Sequence, residues 1–235
     1  MNFLLLTSEI QPLPLIFSAV GLVAVIVLLA FLCDTAGYAI DTKCIAFAGV
    51  SVALSIGLSF VKLFKLPQGG SVTLASLFPI LLFSYIYGTK KGVFVGMIVG
   101  FLNLAIDPYI VHPAQLLLDY PVAFSAIGLS GVFGKIKPLH NIPQLEFALG
   151  SIIAGVLRFA SHVLSGVFAF SAFATTEVWA YSLAYNSFVF ADIAISIVVG
   201  VLALSSKPLL ALVLKRKSSV TGDDIKTDDT TDMKD

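Results

Sequence analysis

The sequence predicts an all-α protein, a polytopic membrane helical bundle, from three observations. Hydrophobic residues make up 58% of the 235 residues, and the mean hydropathy is +0.99. Charged residues make up 12%, where soluble proteins carry about a quarter. The apolar residues also fall into segments of about twenty residues, the length that a helix needs to cross the hydrocarbon core of a bilayer.

Seven such segments are predicted to span the membrane. They cover residues 12–33, 43–64, 73–88, 92–106, 114–133, 148–171 and 183–206, and the third and fourth are short and joined by a tight turn. A secretory signal is the alternative for the first segment, but such signals begin with positive residues, and no Lys or Arg precedes Lys43. We therefore expect an N-terminal helix and linker at 1–40, a membrane domain at 41–217 and a polar tail at 218–235.

Positive charges alternate between the predicted loops and set the orientation. One set of loops holds Lys90, Lys91, Lys135, Lys137, Lys207, Lys215, Arg216 and Lys217, and the other holds Lys62 and Lys65. Because cytoplasmic loops are enriched in Lys and Arg, we expect the C-terminus in the cytoplasm and the N-terminus outside. The tail carries eight of the 28 charged residues, so we expect it to be disordered.

Three ionisable residues lie inside the apolar segments, namely Asp119, Arg158 and His162. A bilayer makes such residues costly, so they usually face the interior of a bundle or a solute path. Arg158 and His162 share one helix face because residues i and i+4 are neighbours. With Tyr181 and Asn186 they fall at a similar depth in the outer half, which predicts a small-molecule pocket there.

Several polar residues also have a purely structural interpretation. Trp179 lies at a predicted membrane boundary, where Trp and Tyr often anchor a helix in the interface. Asp119 and Arg158 could pair with each other. Asp192, inside the last segment, could be structural, and Asn103 is expected to hydrogen-bond a neighbouring helix.

Four motifs, in order, resemble those of the thiamine-specific substrate-binding (S) components of energy-coupling-factor transporters. They are PQGGSVT at 67–73, HPAQLLLDY at 112–120, RFASHVLSG at 158–166 and WAYSLAYN at 179–186. The resemblance runs from about residue 43 to residue 215. It implies a six-helix core that corresponds to the second to seventh predicted spans, so the first span is an extra N-terminal transmembrane helix.

The resemblance implies a high-affinity thiamine-binding subunit that docks on a transmembrane coupling protein driven by two ATP-binding subunits. Carried over by motif, the residues that would contact thiamine are Tyr109, Asp119, Tyr120, His162, Tyr181 and Asn186. Phe170 stands where some members have Trp, and Asp119 where some have Glu, so the chemical type is kept at both positions.

The residue types suit thiamine, whose thiazolium ring has a fixed positive charge that Asp119 would balance. Aromatic faces attract such a cation, and the candidates are Phe170, Tyr181 and Trp179. The aminopyrimidine ring offers donors and acceptors that could be met by Asn186, Tyr120 and His162. Arg158 suits a cation less well, so we expect either an ion pair with Asp119 or contact with a phosphorylated form of the vitamin.

A stripe of small residues repeats every four positions on the second predicted helix, at Gly49, Ala53 and Gly57. Such stripes let helices approach closely. The resemblance implies docking on the coupling protein through small residues of the equivalent helix, and packing inside the bundle is the competing interpretation.

Other functions are less well supported. The sequence holds no Gly-x-x-x-x-Gly-Lys-Ser/Thr run for nucleotide binding, as expected if the ATPases are separate chains. A stand-alone secondary transporter would favour two repeated halves, and an intramembrane enzyme is disfavoured because His162 has no partner at metal-ligand spacing. We therefore expect no enzyme activity, cofactor, metal or nucleic-acid partner. Thiamine is the expected ligand, with another vitamin or a thiamine precursor as the alternative, and membrane lipid surrounds the chain.

Overall fold

A computed structural model describes residues 12–36, 40–169 and 177–222. Within these ranges six helical stretches are long and apolar enough to cross a membrane: Leu13–Leu32, Thr42–Ser59, Thr89–Ile106, Pro113–Phe133, Pro143–Ala169 and Val178–Ser205. They correspond to six of the seven predicted spans. The predicted all-α, multi-pass membrane bundle is therefore confirmed.

The described part of the chain contains ten α-helices. They are α1 (Pro12–Leu32), α2 (Thr42–Ser59), α3 (Phe78–Tyr87), α4 (Thr89–Ile106), α5 (Pro113–Leu117), α6 (Ala123–Ile127), α7 (Pro143–Ala169), α8 (Val178–Asn186), α9 (Phe188–Ser205) and α10 (Lys207–Thr221). The helix in the third predicted span is shorter than predicted, because α3 has ten residues and is about 15 Å long at 1.5 Å per residue. Its buried aromatic residues belong to a large core cluster, with Phe83, Tyr85 and Tyr87 packed near Phe147 of α7.

A β-hairpin follows α2 at one end of the bundle, which we call the hairpin end. Strands β1 (Lys62–Lys65) and β2 (Ser71–Thr73) pair antiparallel, with Lys65 opposite Ser71. The predicted second span is therefore too long, because the helix ends at Ser59. The hairpin turn contains Pro67, which fixes φ and cannot donate to a helix ladder.

The opposite end of the bundle, the α10 end, holds the α3–α4 turn and α10. Lys217 donates to Glu146 at 2.6 Å, and both side chains are buried. Arg216 makes two hydrogen bonds to Asp41 at 2.6 and 2.7 Å, which ties α10 to the start of α2. The boundary predicted at Ser218 for the polar tail lies inside α10, and residues 223–235 are outside the described ranges.

A glycine stripe on α4 packs the interior of the bundle. Gly92, Gly96 and Gly100 follow one another every four residues, and a Cβ on each would clash with backbone atoms of the segment 120–128. The absence of side chains lets α4 lie against that segment's backbone. The stripe at Gly49, Ala53 and Gly57 is different, because all three residues are exposed and a Cβ at either glycine would meet no atom within 4 Å. Internal packing, the competing interpretation of that stripe, is therefore wrong.

The extra helix α1 packs on α4 and α7. It buries apolar residues spaced four apart, Leu22, Ile26 and Ala30, in a cluster with residues of α6 and α7. At the α10 end of the bundle, hydrogen bonds join the C-terminal end of α1 to the start of α4. The Thr89 hydroxyl donates to the Ala30 carbonyl at 2.8 Å, and the Lys90 N–H donates to Asp34 at 3.2 Å. The helix is thus an integrated part of the bundle.

Candidate ligand-binding site

A cavity of about 370 Å³ lies at the hairpin end, between the hairpin and helices α4, α5, α7, α8 and α9. Small-molecule sites typically have volumes of about 300–1,000 Å³. The structure brings six of the nine predicted ligand contacts to its walls: Tyr109, Asp119, Tyr120, Arg158, His162 and Asn186. Four residues that were expected at a similar depth, Asp119, Arg158, His162 and Asn186, therefore line one cavity.

The other three predicted contacts do not line this cavity. The Tyr181 hydroxyl donates to Gln68 Oε1 at 2.9 Å, and the Tyr181 and Tyr185 rings stack with centroids 6.2 Å apart. Tyr181 therefore binds the hairpin turn through Gln68 without lining the cavity. Trp179 is 41% exposed, as an interfacial anchor would be. Phe170 lies outside the described residues.

Asp119 lies in a π-helical turn, Leu118–Val122, which joins α5 to α6. Pro121 inside this turn has no N–H, so a regular α-helical hydrogen-bond ladder cannot continue through it. A π-turn accommodates the break, and such turns are frequent at functional sites. The widened turn places the Asp119 carboxylate beside α7 rather than along a regular helix face.

Asp119 pairs with His162, whose Nδ1 is 2.8 Å from Asp119 Oδ1. The two side chains are only 15% and 10% exposed. An ionised carboxylate only accepts hydrogen bonds, so a neutral imidazole beside it would carry its hydrogen on Nδ1 and present Nε2 as an acceptor. Nε2 has no hydrogen-bond partner among the described residues. The pair therefore offers a carboxylate and an open ring nitrogen to the cavity.

Arg158 lies one helical turn from His162 and is 7% exposed. Its guanidinium carbon is 4.3 Å from the centroid of the Phe124 ring, a cation–π contact. Nε and Nη1 have no hydrogen-bond partner within the described ranges. The ion pair considered between Arg158 and Asp119 is wrong, because the Asp119 carboxylate turns to His162 instead. Arg158 is thus a buried donor without an acceptor at the cavity wall.

Asn186 is 3% exposed, and its amide holds α8 against α7. Nδ2 donates to the carbonyl oxygens of His162 at 3.1 Å and Ser182 at 2.9 Å. These two acceptors use both hydrogens of the amide nitrogen. The side-chain oxygen Oδ1 remains as the atom that can accept a hydrogen bond from a ligand.

The hairpin turn covers one side of the cavity and is tied to α8. The Tyr185 hydroxyl donates to the Pro67 carbonyl and accepts from the Gly70 N–H. Gln68 and Gly69 both have positive φ, of 62° and 88°, a conformation that glycine adopts without steric cost. A Cβ at Gly69 would also clash with the Tyr109 side chain, so glycine lets the turn lie close over the site.

A second loop borders the cavity and is held by Tyr120. Its hydroxyl accepts from the Tyr109 N–H at 2.7 Å and lies 3.4 Å from the Asp107 carbonyl oxygen. Lys62 on β1 pairs with the Asp107 carboxylate, and this hydrogen bond lowers the pKa of Asp107 below its ordinary value. Tyr120 therefore shapes the mouth of the cavity, and Lys62 joins the hairpin to the loop.

Asp192, whose role the sequence leaves open, both lines the cavity and holds neighbouring elements together. It is 2% exposed, and Oδ1 accepts from the N–H and the hydroxyl of Thr73, each at 2.8 Å. These bonds hold β2 against α9. Asn103 also lines the cavity, but its amide donates to Val99 one turn back on its own helix, so the expected bond to a neighbouring helix is wrong.

The predicted contacts did not include several other residues that line the cavity, among them Gln68, Gln115, Tyr185 and Phe188. Tyr185 follows Tyr181 by one helical turn, so the spacing in the sequence places both rings on one face of α8. Phe188 follows α8 at a break between helices, which hydropathy does not reveal. Its ring lies 6.0 Å from both the His162 and the Tyr185 rings. Across the described ranges no three His, Cys, Asp or Glu side chains come together as metal ligands would.

Comparison with known proteins places the chain. The sequence profile of the thiamine transporter protein family matches residues 45–211. The thiamine transporter ThiT of Bacillus subtilis is 40% identical over 132 residues, covering 52% of this chain and 68% of that protein. ThiT of Lacticaseibacillus paracasei is 31% identical over 159 residues, covering 62% and 79%.

A solved structure of ThiT from Listeria monocytogenes shares the fold. Its TM-score is 0.63 at 24% identity, and the match covers 72% of this chain and 96% of that one. The names of the relatives describe transporters, which confirms the prediction of a non-enzymatic protein. The resemblance inferred from the four motifs is confirmed too. This chain belongs to the thiamine transporter protein family.

Proposed function

We propose that this protein captures thiamine as the substrate-binding (S) component of an ATP-driven energy-coupling-factor importer. The observation that carries the proposal is the Asp119–His162 pair, held at 2.8 Å in the wall of a cavity of about 370 Å³. Membership of the thiamine transporter protein family supports the choice of ligand.

The thiazolium cation is proposed to sit beside Asp119. His162 occupies Oδ1 of this carboxylate, which leaves Oδ2 for the ligand. Tyr109, Tyr185 and Phe188 also line the cavity and offer ring faces. A cation–π contact contributes about 0.5–2 kcal/mol, and a largely buried carboxylate is costly without a compensating positive charge, so a permanent cation suits this wall better than a neutral ligand.

The aminopyrimidine is proposed to bind between α7 and α8. His162 Nε2 and Asn186 Oδ1 are both acceptors at the cavity wall, and an exocyclic amino group has two hydrogens to donate. The amino group would then donate one hydrogen bond to His162 Nε2 and one to Asn186 Oδ1. A vitamin or precursor that lacks the amino group would leave these two acceptors unpaired.

The orientation and the partners belong to the same proposal. We assign the hairpin end to the outside and the α10 end to the cytoplasm of the cell membrane, because Lys90, Lys91 and α10 carry the excess of basic residues. The exposed stripe at Gly49, Ala53 and Gly57 is proposed to dock on the transmembrane coupling protein, which two ATP-binding subunits drive. Its open surroundings support close approach by a partner helix.

A phosphorylated form of the vitamin is a second candidate ligand, and one observation favours it. Arg158 is buried at the cavity wall with Nε and Nη1 lacking an acceptor. Leaving buried donors unsatisfied costs about 1–3 kcal/mol, and a guanidinium matches the oxygens of a phosphate. Thiamine monophosphate would place an anionic group there while keeping the cation for Asp119.

Calorimetric titration of the purified protein with thiamine, thiamine monophosphate and an unrelated vitamin tests the ligand assignment. Saturable binding of thiamine alone or with its monophosphate is expected, and preference for the unrelated vitamin would contradict it. Vesicles that contain this chain without partners should show no ATP-dependent uptake. Concentrative uptake by the chain alone would favour a stand-alone secondary transporter.

A further inference from the structure

A second and larger cavity, of about 980 Å³, runs along the side of the bundle between α1, α2 and α4. We call it the side groove. Its walls are almost wholly apolar and include Phe31, Ile45 and Phe94, which are 59%, 63% and 58% exposed. All three helices are long and apolar enough to span a membrane, so the side groove faces the space that lipid chains fill.

Two residues on the α2 wall of the side groove, Gly49 and Ala53, have no side chain or a small one. A Cβ at Gly49 would meet no atom within 4 Å, so the groove is open at this position. From Lys91 to Ile106, which both line the groove, α4 rises by about 22 Å at 1.5 Å per residue. The hydrocarbon of one leaflet is about 15 Å deep, half of the bilayer core, so the groove can take acyl chains along their full length.

Charge is confined to the α10 end of the side groove. Lys90, Lys91 and Asp34 line that end, and Lys90 Nζ lies 3.6 Å from Asp34 Oδ2. Two positive charges and one negative charge leave a net charge of +1. Basic residues at the membrane boundary attract anionic lipid headgroups, so the charge of this end is complementary to such a headgroup and the rest of the groove to its chains.

We propose that the side groove binds one anionic phospholipid, with its acyl chains along α1, α2 and α4 and its phosphate beside Lys90 and Lys91. The α1 wall precedes residues 45–211, the region that the family profile matches, so this wall lies outside the shared core. The lipid site does not depend on the identity of the ligand at the hairpin end. It does cover Gly49 and Ala53, so the lipid and a docking partner exclude each other.

Native mass spectrometry of the full chain in mild detergent, titrated with phosphatidylglycerol or phosphatidylcholine of identical acyl chains, tests this proposal. One phosphatidylglycerol should bind per chain in preference to phosphatidylcholine. K91Q should weaken phosphatidylglycerol binding about fivefold, the effect of one lysine near an anionic surface, and leave phosphatidylcholine unchanged. G49L should weaken both lipids by filling the groove. K207Q, at an exposed lysine on the same end outside the groove, is the matched control.

Equal binding of the two lipids by the unaltered chain would overturn the proposal, as would equal effects of K91Q and K207Q. A groove that holds no lipid, together with weaker assembly of G49L with the coupling subunits, would make it a protein-docking site instead. Thiamine titration of the same samples keeps the two proposals apart. Selective binding of phosphatidylglycerol without binding of thiamine would support the lipid site and contradict the proposal that thiamine is the ligand.

Discussion

Asp119→Asn isolates the charge of the proposed thiamine site. An asparagine Oδ1 can still accept the hydrogen of His162 Nδ1, which is 2.8 Å away in the unaltered protein, so the geometry of the pair is kept and one negative charge is lost. Two unit charges about 4 Å apart attract by about 4 kcal/mol at an effective dielectric constant of about 20. Since about 1.4 kcal/mol is a tenfold change in affinity, thiamine should bind about 1,000-fold more weakly.

Equilibrium dialysis with labelled thiamine measures this loss, and two controls make it specific. Asp41→Asn removes an aspartate at the other end of the bundle, where it pairs with Arg216, and should leave the affinity unchanged. The neutral aminopyrimidine half of thiamine should bind the unaltered protein and Asp119→Asn alike. A thiamine loss of less than about tenfold, or an equal loss for the neutral half, would refute a charge-based role for Asp119.

Three further predictions concern other parts of the molecule. Arg158→Gln should abolish any preference for thiamine monophosphate and leave thiamine affinity unchanged or raised in calorimetry; weaker thiamine binding would contradict this. Asp192→Ala should lower stability by about 1–3 kcal/mol by freeing the Thr73 N–H, measured as the melting temperature, and should cost less thiamine affinity than Asp119→Ala; equal affinity losses would overturn the site assignment. Gly96→Leu should destabilise the bundle by about 3 kcal/mol or more through overpacking, seen as loss of monodisperse protein on gel filtration, whereas Gly49→Leu should remain folded.

The sequence predicted that Asp119, Arg158 and His162 lie near one another, but it could not predict which of them pair. Helix periodicity places Arg158 and His162 on one face of α7, and hydropathy places Asp119 near the same level. Which of the two meets Asp119 depends on the angle at which its carboxylate leaves the helix. The π-turn around Pro121 sets that angle, and hydropathy carries no signal for it.

The hairpin and the roles of the two small-residue stripes could not be predicted, for different reasons. The predicted spans place residues 62–64 at a helix end, 65–72 in a loop and Thr73 at a helix start, because a short hairpin has too few residues for a clear alternation. The stripes at 92–100 and 49–57 look alike in sequence, and only the packing shows that the first is internal. The motif at 179–186 nevertheless supplied Asn186, a predicted contact that lines the cavity.

Calorimetric titration of the purified, unaltered chain with thiamine shows whether the cavity at Asp119 and His162 binds the vitamin. We expect saturable binding with a stoichiometry of one thiamine per chain, because this cavity has the volume of a site for a single small molecule. Absence of heat and of saturation with thiamine, in protein shown to be monodisperse and folded, would contradict it.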